Sequence, residues 1–232
     1  MSTSKPVMDI SAKLVKELRE RTNAGFSDCR AALIEASSLV ADPTDTAQLI
    51  EKAIDVLRKK GQAAAAKKAS REATEGLIGH YIHAGGKIGV IVELNCESDF
   101  VARTEAFQRL CHDLAMHIAA VDPRYVRRED VTPEMLERER EIYTAQARAT
   151  GKPEPVIQKI VQGKMEKFYE DTCLYEQHYI KDETQTIGEM INAAIAKLGE
   201  NITIRRFARF KVGEGAGPSA AAAEPAPAPV NA

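Results

Sequence analysis

Tryptophan is absent from this chain, cysteine is scarce, and no long apolar run occurs in its 232 residues. Each shortage excludes something. Cys29, Cys96, Cys111 and Cys173 form no CxxC pair, and each sits in an apolar pattern. They predict reduced, mostly buried thiols in a cytosolic protein, not a disulfide framework or a zinc site. Without a long apolar stretch there is no membrane span. Residues 1–9 carry neither an apolar signal region nor an Arg-rich presequence, and read as a short flexible tail of a cytoplasmic protein. The formal net charge is −2 and the pI about 6.3, so a dominant nucleic-acid or membrane-surface role has no electrostatic support. There is no Gly-rich phosphate loop, no HExxH helix and no nucleophile elbow. Cys96 and Asp99 lie close in sequence, but no His motif stands beside them. The expectation is no enzyme, no metal and no cofactor.

Hydrophobic residues make up 44% of the chain, enough for a real core. Residues 10–60 read as a three-helix module. Ser11 suits a cap for a first helix with Leu14, Val15 and Leu18 on one face. Thr22-Asn23-Ala24-Gly25 makes the turn, and Ser27 and Asp28 start a second helix burying Cys29, Ala32, Leu33 and Ala36. A loop from Ser37 to Asp45 leads to a third helix with Leu49, Ile50, Ala53, Ile54 and Leu57 inward, closed by Lys59, Lys60 and Gly61. Phe26, in the tight first turn, either plugs this bundle or is presented as an apolar contact. Residues 61–75 are Ala- and Lys-rich and read as a helical linker.

Residues 76–212 read as an α+β core. Leu77 to Ala84 and Lys87 to Asn95 form a hairpin about Gly85-Gly86. His80 and His83 differ by an odd number, so they face opposite ways and cannot share a metal. Residues 132–169 form an antiparallel helical hairpin with narrow apolar seams, turning at Gly151-Lys152-Pro153. Thr186 precedes a helix from Ile187 to Leu198 that Gly199 stops. A last strand, Ile202 to Val212, shows Ile202, Ile204, Ala208, Phe210 and Val212 on one face. The other face carries Thr203, Arg205, Phe207, Arg209 and Lys211. Arg interleaved with Phe suits base stacking, but the acidic balance favours an edge or half-exposed strand. Residues 213–232 are rich in Ala and Pro, cannot build a core, and are expected to be disordered.

The stretch from Asn95 to Thr104 organises the rest. It is a strand-to-helix corner, a surface position that often carries function. Ser98 and Asp99 are good helix-start residues, with Asp99 expected to cap the following helix. Phe100 and Val101 are unusual there. Phe100 either folds back as a staple or stands out as an interface anchor. The preceding strand already supplies Ile88, Val90, Ile91, Val92 and Leu94, and the following helix Phe107 and Leu110. The corner needs no further large apolar group, so the anchor is expected.

Several motifs carry a resemblance. Ala12-Lys13-Leu14-Val15-Lys16-Glu17-Leu18-Arg19-Glu20-Arg21-Thr22, with Ala24-Gly25 and Asp28-Cys29, resembles the opening of the bacterial elongation factor Ts family. So do Glu51-Lys52-Ala53-Ile54 and Leu57-Arg58-Lys59-Lys60-Gly61. Asn95 to Arg103 resembles the family's central signature. Leu198-Gly199-Glu200-Asn201-Ile202 with Arg205-Arg206-Phe207 resembles its closing strand. The resemblance implies a ubiquitin-associated-like N-terminal module and a guanine-nucleotide exchange factor for elongation factor Tu, a GTPase that holds GDP and magnesium. It implies a wedge at Ser98, Asp99, Phe100 and Val101 acting near the magnesium and switch region. It implies a docking contact through Lys16, Arg19 and Phe26, and a body contact through His83, Leu198 and Gly199. Three features depart from the pattern. The loop before the third helix is enlarged, the core has one half where long members have two, and an Ala/Pro tail replaces a C-terminal helix. Short members can dimerise, so a homodimer is a further expectation; direct nucleic-acid and membrane contacts are not expected.

Overall fold

The computed structural model describes residues 10–22 and 24–214. The expected tails, apart from Gly213 and Glu214, and the turn residue Asn23 lie outside the described residues.

The apolar spacing of the N-terminal region produces helices α1 (Ala12–Thr22), α2 (Phe26–Leu39) and α3 (Thr46–Lys68). They close over Leu14, Leu18, Cys29, Leu33, Leu49 and Ile50. Asp45 caps α3 by accepting from the N–H groups of Ala47 and Gln48. Helix α2 begins at Phe26, earlier than Ser27, with Gly25 in the cap position. The expected stop of the third helix at Gly61 does not occur. The helix runs on to Lys68, through Ala63 to Ala66, which favour helix strongly. Gly61 lies where α3 runs beside another helix: a Cβ there would stand 3.5 Å from the carbonyl oxygen of Asn192, an ordinary contact distance, so the glycine is tolerated here rather than required. Lys68 Nζ donates to the carbonyl of Ile195, and Arg58 donates to that of Thr184. The same helix thus serves both the module and the core.

The core sheet contains β1 (Glu75–Ile82), β2 (Ile88–Cys96) and β5 (Ile202–Lys211), all antiparallel, with β2 central. Between them the chain forms the single-turn α4 (Asp99–Ala102), α5 (Glu105–Val121), the hairpin α6 (Pro133–Arg148) and α7 (Glu154–Thr172), a small β3–β4 ribbon (His178–Tyr179 and Asp182–Thr186), and α8 (Ile187–Leu198). The two strands of the ribbon, two and five residues long, are too short to show a period in the sequence. Thr186 caps α8 in a capping box with Glu189, and Gly199 ends it at φ +81°. One face of the sheet packs under α5 and α8 around Val90, Val92, Leu94, Phe107, Leu114, Ile191 and Ile202. On the other face Ile78, Ile82, Ile91 and Phe210 are exposed.

β5 is an edge strand, as expected, but its face assignment needs correction. A bulge breaks the register, with Glu93 opposite Arg206 and Leu94 opposite Ile204, so Arg205 has no partner position. An extra residue shifts the alternation. Ile202 and Ile204 face the core, and beyond the bulge Phe207 and Arg209 turn inward while Ala208 and Phe210 face out.

The four thiols are buried and unpaired. His117 on α5 is fully buried; its Nε2 lies 3.0 Å from Gln177 Oε1, while Nδ1 has no partner among the described residues. Burial holds its pKa below the ordinary imidazole value, and the Gln177 hydrogen bond opposes that only in part. The unfolded chain therefore takes up this proton at higher pH than the folded one. The resulting stability is complete above about pH 6.5 and is lost as pH falls below it. The urea midpoint should drop as pH falls below about 6.5, and His117→Gln should remove that component.

Candidate partner-binding site

β2 ends at Cys96, whose thiol donates to the Ser98 carbonyl at 3.2 Å. Burial first, and then the Glu200 carboxylate, push that thiol's pKa up, so Cys96 remains a protonated donor rather than a nucleophile. Ser98 adopts extended backbone, and its Oγ accepts from Val101 N–H at 3.4 Å, which starts α4. Thr104 accepts from Phe107 N–H at 3.3 Å and starts α5. Two caps within seven residues make the corner a tight double turn.

Asp99 does not cap either helix, contrary to expectation. Its carboxylate pairs with Arg103 at 2.6 Å on the surface, where such a pair contributes little. Ser98 is the better cap because its side chain precedes the turn. Val101 is half-buried and Ala102 buried against the core, while Phe100 is 88% exposed. Phe100 is therefore no staple. An isolated aromatic ring held out on a capped turn is what an interface anchor requires.

The corner is tied to the turn after α8 by two carboxylates. Glu200 accepts from the N–H groups of Glu97 at 3.1 Å and Ser98 at 3.0 Å, and from Ser98 Oγ at 2.5 Å. In return Glu97 accepts from Asn201 N–H at 2.6 Å and pairs with Arg71 at 3.5 Å. Asn201 Nδ2 donates to the Arg71 carbonyl at 2.8 Å. Leu198, half-buried, and Gly199, exposed, thus lie beside the Ser98 turn. Through Glu200 the structure ties the turn that follows Leu198 and Gly199 to Ser98, the residue that starts the Asp99, Phe100 and Val101 turn.

His83 is elsewhere. It caps the β1–β2 turn, with its ring 3.2 Å from Tyr81 Oη and its N–H bonded to Ile88. The nine-residue β2 separates that turn from the corner by roughly 25 Å at about 3.3 Å per residue. Lys16 and Arg19 are exposed on α1, with Lys16 paired to Glu20 at 3.7 Å. Phe26, at the start of α2, is 54% exposed, so it does not plug the bundle. Sequence reasoning missed Glu97, Glu200, Asn201 and Arg71. The acidic residues beside two turns were a signal, but their pairing spans 103 residues of sequence and no local pattern shows it.

Comparison with known proteins places these features in a family. The model for the family described as "Elongation factor TS" matches residues 8–214. The chain is 61% identical over 207 residues to "Elongation factor Ts" of Koribacter versatilis, covering 89% of this chain and 90% of that protein. It is 58% identical to "Elongation factor Ts" of Thermosipho melanesiensis over 205 residues, 88% of this chain and all of that one. A third relative, "Elongation factor Ts" of Solibacter usitatus, is 53% identical over 218 residues, 94% of this chain and 98% of that one. The chain belongs to the elongation factor Ts family and is a translation elongation factor.

Proposed function

We propose that the chain promotes GDP release from elongation factor Tu by inserting Phe100 into the GTPase near its magnesium and switch region. The observation that carries this reading is the fully presented Phe100 ring on a doubly capped turn. In the family the matching Asp-Phe pair enters between helices of the GTPase. A ring there would shift a switch helix and disturb the metal's surroundings, weakening GDP without touching its base. Leu198 and Gly199 widen the same contact, and Lys16, Arg19 and Phe26 form a second docking point on the N-terminal module. His83 lies too far from the corner to join it within one chain. No covalent bond is made, so the factor must bind the nucleotide-free partner best, and nucleotide must weaken the factor to the same degree. The chain works in the cytoplasm. Stopped-flow release of labelled GDP from elongation factor Tu tests the proposal: acceleration by the chain is expected, and an unchanged rate would reject it.

The open sheet face supports a homodimer. Ile78, Ile82, Ile91 and Phe210 form an apolar surface with the Glu93–Arg206 pair, 2.7 Å, set within it. A self-complementary patch of this kind suits a twofold axis. Such a dimer would let His83 of one protomer serve a site built on the other. Sedimentation should show a dimer for the parent chain and a monomer for Ile91→Glu. A monomeric parent would sink the idea.

A further inference from the structure

We propose that Glu200 is a positioning residue for nucleotide exchange, holding the Ser98 turn so that Phe100 and the Leu198–Gly199 turn meet the partner as one rigid unit. The inference rests on Phe100 being the residue that enters the GTPase.

Phe100 has little of its own to hold it. Its ring is 88% exposed, and its backbone belongs to a four-residue helix. A helix that short has no stability by itself, because nucleation costs more than one turn of hydrogen bonds returns. The aim of the ring therefore depends on what fixes the start of the turn.

Glu200 is what fixes it. Gly199 at φ +81° reverses the chain after α8 and sets Glu200 beside the corner. One carboxylate oxygen takes two consecutive backbone N–H groups, those of Glu97 and Ser98, and the other takes the Ser98 hydroxyl. A serine hydroxyl has one proton and two lone pairs. With its proton given to Glu200, the oxygen is left as an acceptor for Val101 N–H, the bond that starts α4. Glu200 thus orients the cap that orients Phe100. Glu97 returns the contact by accepting from Asn201 N–H at 2.6 Å, so each turn is held by the other's carboxylate. The link is reinforced through Arg71, which contacts both Glu97 and Asn201.

A merely structural carboxylate would satisfy the same donors, so the test must separate aim from stability. The chain lacks tryptophan, and Phe100→Trp supplies a single emitter at the tip. Time-resolved anisotropy of Phe100→Trp should show the fast, local component growing roughly twofold when Glu200→Ala is added. GDP release from elongation factor Tu should slow about tenfold in Glu200→Ala. In the Phe100→Ala background the same change should slow it less than about twofold further, because a residue acting through Phe100 has nothing left to aim. Glu200→Gln, which keeps one acceptor oxygen, should fall between and stands in if the alanine variant does not fold. Multiplicative effects of the two substitutions, or an unchanged anisotropy decay, would overturn the proposal. If Phe100→Ala alone leaves exchange unaltered, the wedge reading itself fails and the exchange role of Glu200 falls with it.

Discussion

Replacing Phe100 with alanine should slow GDP release about thirtyfold and leave the melting temperature nearly unchanged. The two halves of that expectation come from one fact, the exposure of the ring. Removing a side chain that touches little usually changes folding stability by less than about 0.5 kcal/mol. Burying a phenylalanine against a partner is worth roughly 1.5–3 kcal/mol in transfer free energy alone. Truncating an anchor typically costs about 2 kcal/mol, on the order of thirtyfold. Asp99, paired on the surface with exposed Arg103, should matter much less to the fold and act through whatever donor the partner offers. Measuring the melting curve and the stopped-flow rate on the same sample separates the terms. A large fall in melting temperature would show that the ring packs in the core after all, and an unaltered rate would show that the wedge lies elsewhere.

The parts of this molecule that were legible in its sequence are those set by local periodicity. Leu14, Val15 and Leu18 on one helix face, Thr186 as a cap and Gly199 as a stop all appear where spacing and residue type place them. The strand-to-helix corner was legible for the same reason. What failed depended on contacts distant in sequence. Gly61 looks like a helix end because glycine usually is one, yet the alanines after it and the packing of α3 on α8 carry the helix on to Lys68. The inward face of β5 switches at a bulge that is visible only once Glu93 and Leu94 are paired with it. Asp99 and Ser98 are both good caps on residue type; Ser98 takes the position before the turn, and the Glu200 that orients its hydroxyl lies 102 residues away in sequence. The candidate site was readable as a tip, but its support was not.

That support can be broken without touching the tip. Gly76 stands at the start of β1 opposite Asn95, one residue before the end of β2 that leads into the corner. Its φ is +143°, a conformation side chains rarely adopt, and a Cβ built there would lie 2.1 Å from the Leu94 carbonyl oxygen and 2.8 Å from Asn95 Cα. These are backbone atoms of the central strand, so the clash cannot be relieved by a rotamer change. Strain at such a φ costs of order 1–3 kcal/mol, and forcing extra volume into a packed place costs a similar amount. Gly76→Ala should therefore destabilise the core by about 3 kcal/mol or more, a fall of roughly 10 °C in melting temperature for a chain of this size. The Asn95 side chain, which donates to the Glu75 carbonyl at 3.2 Å, would lose its alignment as the strands part. Exchange should fall with the folded fraction and recover at low temperature, opposite to Phe100→Ala, whose defect should persist in fully folded protein. Melting of Gly76→Ala within about 2 °C of the parent would mean that the strands adjust around the new methyl group, and that the tight approach at Gly76 is not what holds β1 to β2.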